Sequence, residues 1–108
     1  MYRITLVGLL FLSSPVFAAD VAAGKAIYSQ TCIACHGANG KGALPGVADF
    51  TASKGPLSKT DEQLVTSITE GVQTPGKPLA MPAKGGNPTL TEADVQAVIA
   101  YLRAEFGM

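Results

Sequence analysis

The chain of 108 residues has the length of one small domain, and its 8 Lys and Arg residues balance its 8 Asp and Glu residues. This length argues against a multidomain enzyme, and the lack of any basic run among only 15% charged residues argues against nucleic-acid binding. Beyond residue 18, Ala supplies fifteen of the hydrophobic residues and Trp is absent. We therefore expect a marginal core that a non-protein group helps to fill.

Residues 1–18 have the pattern of a secretory signal. Arg3 precedes a nine-residue apolar stretch, 4–12, and small residues end the segment where a signal peptidase cleaves. The alternative, an uncleaved membrane anchor, would need about 20 apolar residues. We expect cleavage after Ala18 and an exported, soluble, periplasmic domain over 19–108 with a formal charge of −1.

The first predicted helix covers about 21–31. Asp20 is expected to cap it, since Asp is favoured at the N-cap. Ala23, Ile27 and Tyr28 share one face at helical spacing. Gly24 on this helix would let another backbone approach closely.

Two further helices are predicted, and loops rich in Gly and Pro separate the three. Thr60 and Gln63 form a capping box for a helix over about 61–70, with Leu64, Val65 and Ile68 inward and Gly71 ending it. Thr91 with Asp94 opens the last helix, about 92–105, whose apolar residues recur at helical spacing: Val95, Val98, Ile99 and Leu102. No stretch alternates like a strand, so the sequence predicts an all-α fold.

Both cysteines and the one histidine of the chain fall within five residues, Cys32-Ile-Ala-Cys35-His36. This C-x-x-C-H pattern is typical of a c-type haem attachment site. On a helical turn, positions i, i+3 and i+4 project from one face, so two thiols and an imidazole can face one flat ligand. The sequence therefore predicts one haem c, attached through Cys32 and Cys35, with His36 bound to its iron.

The motif has three other interpretations. A structural zinc site needs four N or S ligands, and the sequence offers only three, Cys32, Cys35 and His36. A thioredoxin-like dithiol would need a neighbouring βαβ pattern, which is missing. A plain disulfide between Cys32 and Cys35 would close a loop too short to add much stability.

With Met81-Pro82 far downstream of the C-x-x-C-H motif, the chain resembles a small bacterial class I cytochrome c, over essentially all of 19–108. The segment 81–88 is most similar to the cytochrome c5 type. The resemblance implies a class I cytochrome c fold in which three main helices and their loops surround one covalent haem. It also implies that the first and last helices cross, with Gly24 and Tyr28 facing Val98 and Tyr101.

Met81 is the predicted sixth ligand, by elimination. His36 is the sole histidine, both cysteines are used for attachment, Met1 leaves with the leader, and Met108 is the last residue. The loop 73–90 around Met81 contains four prolines, which would stiffen it. A core-filling role for Met81 stays open, because Met is a common gap-filler. Lys77 and Lys84 are the alternative ligands.

The family resemblance assigns a further role to a proline shortly after the motif, whose carbonyl accepts a hydrogen bond from the ligating histidine. Pro45 is the one proline between residues 37 and 55. The alternative is that 44–46 is simply a turn. The nearby glycines do not form a phosphate-binding loop, because the G-K-[ST] ending and the preceding strand are missing.

A histidine–methionine pair would leave no open position on the iron, and it raises the reduction potential. We therefore expect a one-electron carrier and no enzymatic activity. The partners would be redox donors and acceptors in the membrane or periplasm, and the chain would act as a monomer or as a small subunit of a redox complex. A peroxidase-like or gas-binding haem protein with a displaceable Met81 is the alternative. Lys41, Lys77 and Lys84 are expected to surround the haem edge and steer acidic partners.

Overall fold

The computed structural model describes the backbone of residues 16–107 and the side chains of residues 20–107. Most of the predicted leader, residues 1–15, lies outside this range. Cleavage after Ala18 therefore stays a prediction.

The N-terminal helical segment is longer than the sequence predicted. Helix α1 spans Val16–Ile27, a π-helical turn follows over Tyr28–Cys32, and helix α2 spans Ile33–His36. Asp20 therefore lies inside α1 and is not its N-cap, and the predicted range 21–31 is wrong at both ends. The reason is local, because residues 16–19 include two alanines and no glycine, so nothing in this stretch stops a helix before Asp20.

The π-helical turn has a structural consequence for the C-x-x-C-H motif. The Ile33 amide donates to the Tyr28 carbonyl, five residues back. This wider turn rotates the motif relative to the register of α1. Turns of this kind are frequent at functional sites.

Helices α1 and α4, the latter spanning Glu92–Phe106, cross at close range. A Cβ atom on Gly24 would overlap the Ala97 carbonyl oxygen and would lie 2.8 Å from the Tyr101 Cβ. Tyr28 is buried against Tyr101, with ring centroids 5.3 Å apart. The predicted crossing of the first and last helices is confirmed. Ala23, however, is exposed, so its place on the inner face was predicted wrongly.

Helix α3 spans Asp61–Glu70, and both predicted capping boxes form. At α3, the Gln63 amide donates to Thr60 Oγ1 at 3.2 Å and the Thr60 amide donates to Gln63 Oε1 at 3.0 Å. At α4, the same reciprocal pair joins Thr91 and Asp94, at 3.1 and 2.9 Å. These caps satisfy amides that would otherwise lack a helical partner.

Among the residues that the structure describes, the core consists of two clusters that meet along α4. One is mainly aromatic and lies between α1, α4 and the loop after α2, and its buried members are Tyr28, Phe50, Val98, Tyr101 and Leu102. The other lies between α3 and α4 and contains Leu64, Val95 and Ile99. Leu57 packs against both clusters. The inward positions predicted for α4 are confirmed, since all four are nearly inaccessible to solvent.

Arg103 ties α4 to the segment before α3. Its guanidinium donates to the Leu57 carbonyl at 3.0 Å, to the Lys59 carbonyl at 2.8 Å and to Asp61 Oδ1 at 2.6 Å. The ion pair to Asp61 is largely exposed and contributes little by itself. The two carbonyl contacts hold the 3₁₀ turn Pro56–Ser58 in place.

Between the helices, the described residues form loops and no strand. A second 3₁₀ turn covers Ala83–Gly86, and one isolated antiparallel bridge pairs Val72 with Met81. The all-α prediction with three main helices is confirmed. None of the described helices is long and apolar enough to cross a membrane.

The close approach at Gly24 gives a stability prediction. We expect Gly24→Ala to destabilise the protein by about 1–3 kcal/mol, because the added methyl group overlaps the backbone of α4 at Ala97. Chemical denaturation of the purified protein would measure this loss. Ala26→Ser, at an exposed position of α1, is the matched control and should unfold near the wild-type midpoint. Equal stability of Gly24→Ala and wild type would contradict the close crossing.

Candidate haem-binding site

The functional candidates of the sequence meet at one cavity of about 360 Å³. Its wall is largely apolar and includes side chains from α3 and α4, such as Leu64, Val95, Val98 and Leu102. Cys32, Cys35, His36 and Met81 all line it. The structure therefore brings the predicted attachment residues and both predicted iron ligands to a single space.

The two cysteines are free thiols on the α2 side of this cavity. Cys35 is exposed, whereas Cys32 is partly buried. Burial, followed by the charge of Cys35, raises the pKa of the Cys32 thiol to about 11. A redox-active dithiol needs a readily formed thiolate, so this environment does not favour the thioredoxin-like alternative.

His36 is partly buried beside the aromatic cluster. Burial lowers the pKa of its imidazole, and the nearby Ala48 backbone opposes this shift. The ring is therefore neutral at neutral pH, which is the form that binds a metal. Its Nδ1 atom is buried and has no hydrogen-bond partner of good geometry among the described residues. The ring stacks on Phe50, with centroids 4.4 Å apart and planes 23° apart.

Met81 reaches the cavity from the segment after α3. Its amide donates to the Val72 carbonyl at 2.8 Å and its carbonyl accepts from the Val72 amide at 2.9 Å. Gly71, with φ of +81°, makes the turn into this bridge, and a Cβ there would lie 2.6 Å from the Met81 carbonyl oxygen. The loop 73–80 is thus closed at its base, and the backbone of Met81 is fixed. The sequence predicted Met81, but its partner Val72 carries no sequence signal.

Pro45 lies beside the site without joining it to His36. Its neighbours Leu44 and Gly46 line the cavity, while Pro45 itself is exposed and does not. In this structure no hydrogen bond joins His36 Nδ1 to the Pro45 carbonyl, and the backbone group that acts on the ring is that of Ala48. The role of Pro45 beside a bound haem stays a prediction.

The three lysines predicted around the site divide into two groups. Lys77 and Lys84 line the cavity. Lys84 is the one described non-glycine residue with a positive φ, +55°. Lys41 does not line the cavity; its charge acts on Asp49, whose pKa is lowered chiefly by hydrogen bonds from Thr51. The structure thus places two of the three lysines at the site.

Two aromatic residues near the motif were not identified as functional from the sequence. The Tyr28 hydroxyl donates to the Gly37 carbonyl at 2.5 Å, directly after the motif, and burial is the main cause that raises the pKa of this phenol to about 12. Phe50 stacks on His36. One feature of the sequence could have identified Phe50: it is the one Phe, Tyr or Trp between positions 29 and 100.

The donor set of the cavity fits a flat iron porphyrin. Two thiols, one neutral imidazole and one thioether border an apolar space. Over residues 16–107, no group of three His, Cys, Asp or Glu side chains is placed to hold a metal ion by itself. The zinc alternative therefore gains no support from these residues.

Known proteins are similar to this chain in sequence. The family described as "Cytochrome C oxidase, cbb3-type, subunit III" matches residues 19–102. Cytochrome c-555 of Chlorobaculum tepidum is 41% identical over 93 residues, which cover 86% of this chain and 83% of that protein. Cytochrome c6 of a Synechococcus species is 40% identical over 92 residues, covering 85% and 76%.

A solved structure supports the fold independently. Cytochrome CL from the marine methylotrophic bacterium Methylophaga aminisulfidivorans aligns with a TM-score of 0.60 at 20% identity. The alignment covers 80% of this chain and 53% of that protein, so the chain spans about half of its length. The fold, the family match and the relatives agree: the chain belongs to the cytochrome c family, as a domain of the cbb3-type class that is homologous to the small cytochromes c-555 and c6.

Proposed function

We propose that this chain is a periplasmic one-electron carrier with a single haem, attached through Cys32 and Cys35 and bound axially by His36 and Met81. The observation that carries the proposal is that all four side chains line one cavity. As a cytochrome c of the c-555 and c6 type, the chain is a haem-based electron carrier and not an enzyme. Redox proteins are its partners.

Different side chains would hold different parts of the cofactor. When bound, the haem supplies one-electron oxidation and reduction at its iron. The Cys32 and Cys35 thiols provide the attachment points, and the neutral imidazole of His36 offers a nitrogen lone pair. The Met81 thioether is presented on a backbone that the Val72 bridge fixes.

We expect little change in structure when the haem is oxidised or reduced, because the residues that would hold it are themselves fixed. Met81 is held by its bridge, and the end of the motif is held by the hydrogen bond from Tyr28 to Gly37. The wall that α3 and α4 contribute to the cavity is largely apolar. If His36 and Met81 both bound the iron, neither oxidation state would need a new ligand.

The alternative function, peroxidase-like or gas-binding, lacks supporting residues. Such chemistry uses a polar distal group beside an open iron position, and the cavity offers no second histidine. Arg103 cannot serve, because its guanidinium is bound to Leu57, Lys59 and Asp61 and does not line the cavity.

The location outside the cytoplasm rests on the predicted leader and on the attachment motif. Residues 1–18 have the pattern of a secretory signal. An exported carrier that holds its cofactor covalently cannot lose it by dissociation. Both features favour the same compartment.

Intact-mass analysis and an absorption spectrum of the exported protein test the proposal directly. We expect a chain that begins at Ala19 and carries the added mass of one haem, with a c-type spectrum in both oxidation states. Cys32→Ala and Cys35→Ala should each lose covalent attachment at one thioether and lower the yield of folded protein. Ala34→Ser, at an exposed position between the two cysteines, should keep the haem. A mature mass without haem would overturn the proposal.

Met81→Ala tests the sixth ligand. We expect it to keep the covalent haem, to lower the reduction potential by a sizeable part of the roughly 0.8 V that axial ligands span, and to admit cyanide or carbon monoxide. Redox titration and ligand-binding spectra would measure these changes. Leu79→Ala, in the same loop and also at the cavity, is the control and should bind neither ligand. If Met81→Ala behaved like wild type, Lys77 or Lys84 would be the ligand.

The rim of the cavity is the proposed docking surface. Three large apolar side chains line the cavity and are also exposed to solvent: Leu44 (43%), Val72 (38%) and Leu79 (47%). Such exposure is unusual for large apolar side chains among the described residues. Lys77 and Lys84 lie on the same cavity. An apolar centre with adjacent cations suits a partner with acidic residues around an apolar contact.

Oxidation by ferricyanide, an anion, probes this charge. We expect Lys77→Gln with Lys84→Gln to slow the reaction several-fold at low salt and to flatten its dependence on ionic strength, because steering charges are lost. At about 1 M salt, where the screening length falls to about 3 Å, the variant and wild-type rates should converge. Lys41→Gln is the matched control and should change the rate less, since Lys41 lies away from the cavity. If Lys41→Gln slowed the reaction as much as the double variant does, the proposed surface would be contradicted.

A further inference from the structure

We propose that Phe50 is the positioning residue that sets the orientation of the His36 imidazole. This inference rests on the proposed role of His36 as an iron ligand. It adds a role for a residue outside the attachment motif, fourteen positions further along the chain.

The contact between the two rings is direct. Their centroids lie 4.4 Å apart with an angle of 23° between the planes, which is a stacked arrangement. Phe50 is only 8% exposed and lines the same cavity as His36. A ligating histidine is usually oriented by a hydrogen bond from its second ring nitrogen. Here the buried Nδ1 makes no hydrogen bond of good geometry in the described part of the chain, and the backbone group that acts on the ring is that of Ala48. The stack is the side-chain contact that restricts rotation of the ring.

Phe50 is itself held in place from two sides. Its amide donates to the Gly40 carbonyl at 2.8 Å, which fixes the backbone. Phe106, near the end of α4, stacks on it with centroids 6.0 Å apart and planes 21° apart. Gly40 makes room for this arrangement, because a Cβ there would lie 2.8 Å from Phe106 Cδ1. A rigid column of three rings therefore runs from α4 through Phe50 to His36.

The aromatic cluster anchors the far end of this column. Phe106 contacts Tyr28 and Tyr101, at centroid distances of 5.7 and 5.9 Å. Those two tyrosines belong to the α1–α4 crossing. The orientation of the imidazole is thus connected to the α1–α4 crossing, and a fixed imidazole would bind the iron in the same orientation in both oxidation states.

Proton NMR of the haem-loaded protein tests this role. In the reduced wild type, we expect cross-relaxation between the ring protons of Phe50 and those of His36, as the stack requires. In the oxidised protein, the paramagnetically shifted resonances of the haem methyls report the orientation of the imidazole plane. Phe50→Leu should shift these resonances and make their chemical shifts depend more strongly on temperature, because the His36 imidazole gains rotational freedom. Phe50→Tyr, which retains a ring, should restore the wild-type pattern.

Phe106→Leu is the matched control. It removes a ring from the same column and the same core cluster, but it does not contact His36. We expect it to lower stability and to move the haem methyl resonances less than Phe50→Leu does, because the hydrogen bond to the Gly40 carbonyl still holds the Phe50 backbone and the Phe50 ring still lies on His36. If both variants moved them equally, general packing and not Phe50 would set the orientation.

Two other results would overturn the inference. Wild-type protein without cross-relaxation between the two rings would exclude the stack, whether or not Phe50→Leu folds. Unchanged methyl resonances in a folded, haem-loaded Phe50→Leu would show that another group, such as the Ala48 backbone, orients the ring. A chain that binds no haem would give no shifted resonances at all, and that result would instead contradict the proposed function.

Discussion

The near-contact of the α1 and α4 backbones at Gly24 is the constraint on which the rest of the structure depends. Because no side chain separates Gly24 from the Ala97 carbonyl, the two helices approach closely enough for Tyr28 to pack on Tyr101. The C-x-x-C-H motif follows Tyr28 within a few residues, so its position relative to α4 is set by this crossing. The π-helical turn then aims the motif at the cavity.

The cavity itself is a consequence of a chain that is poor in large side chains. The buried residues form two modest clusters that meet along α4, and an apolar space of about 360 Å³ stays between α2, α3 and α4. An apolar cavity of this size in a small domain is costly to keep empty. A covalently attached, largely apolar cofactor would complete the core, which links the stability of this fold to its function.

The two sides of the proposed haem site are built in different ways. On one side, His36 comes from a helix end and is packed against a rigid aromatic column. On the other side, Met81 comes from a loop whose base is closed by two hydrogen bonds to Val72. The imidazole therefore depends on side-chain packing, whereas the thioether depends on backbone pairing.

Much of this protein could be predicted from its sequence, because the signals are local. Capping boxes, helical periodicity and the spacing of Cys32, Cys35 and His36 each lie within a few residues of one another, and the structure has α3, α4 and the grouping at the cavity as expected. Met81 followed from elimination among a few candidate side chains. The N-terminal helix was mispredicted because a favourable N-cap residue, Asp20, does not stop a helix that is already under way.

What only the tertiary structure decided involves residues far apart in the chain. The Val72–Met81 bridge, the placement of Lys77 and Lys84 but not Lys41 at the cavity, and the stack of Phe50 on His36 leave no local pattern. Each depends on how the loops fold over the crossed helices. The loop that contains Phe50 is rich in glycine, so its local sequence is compatible with many conformations. The sequence by itself determined which chemical groups are present and on which helical turn they lie; packing at a distance decided which of their neighbours hold them in place.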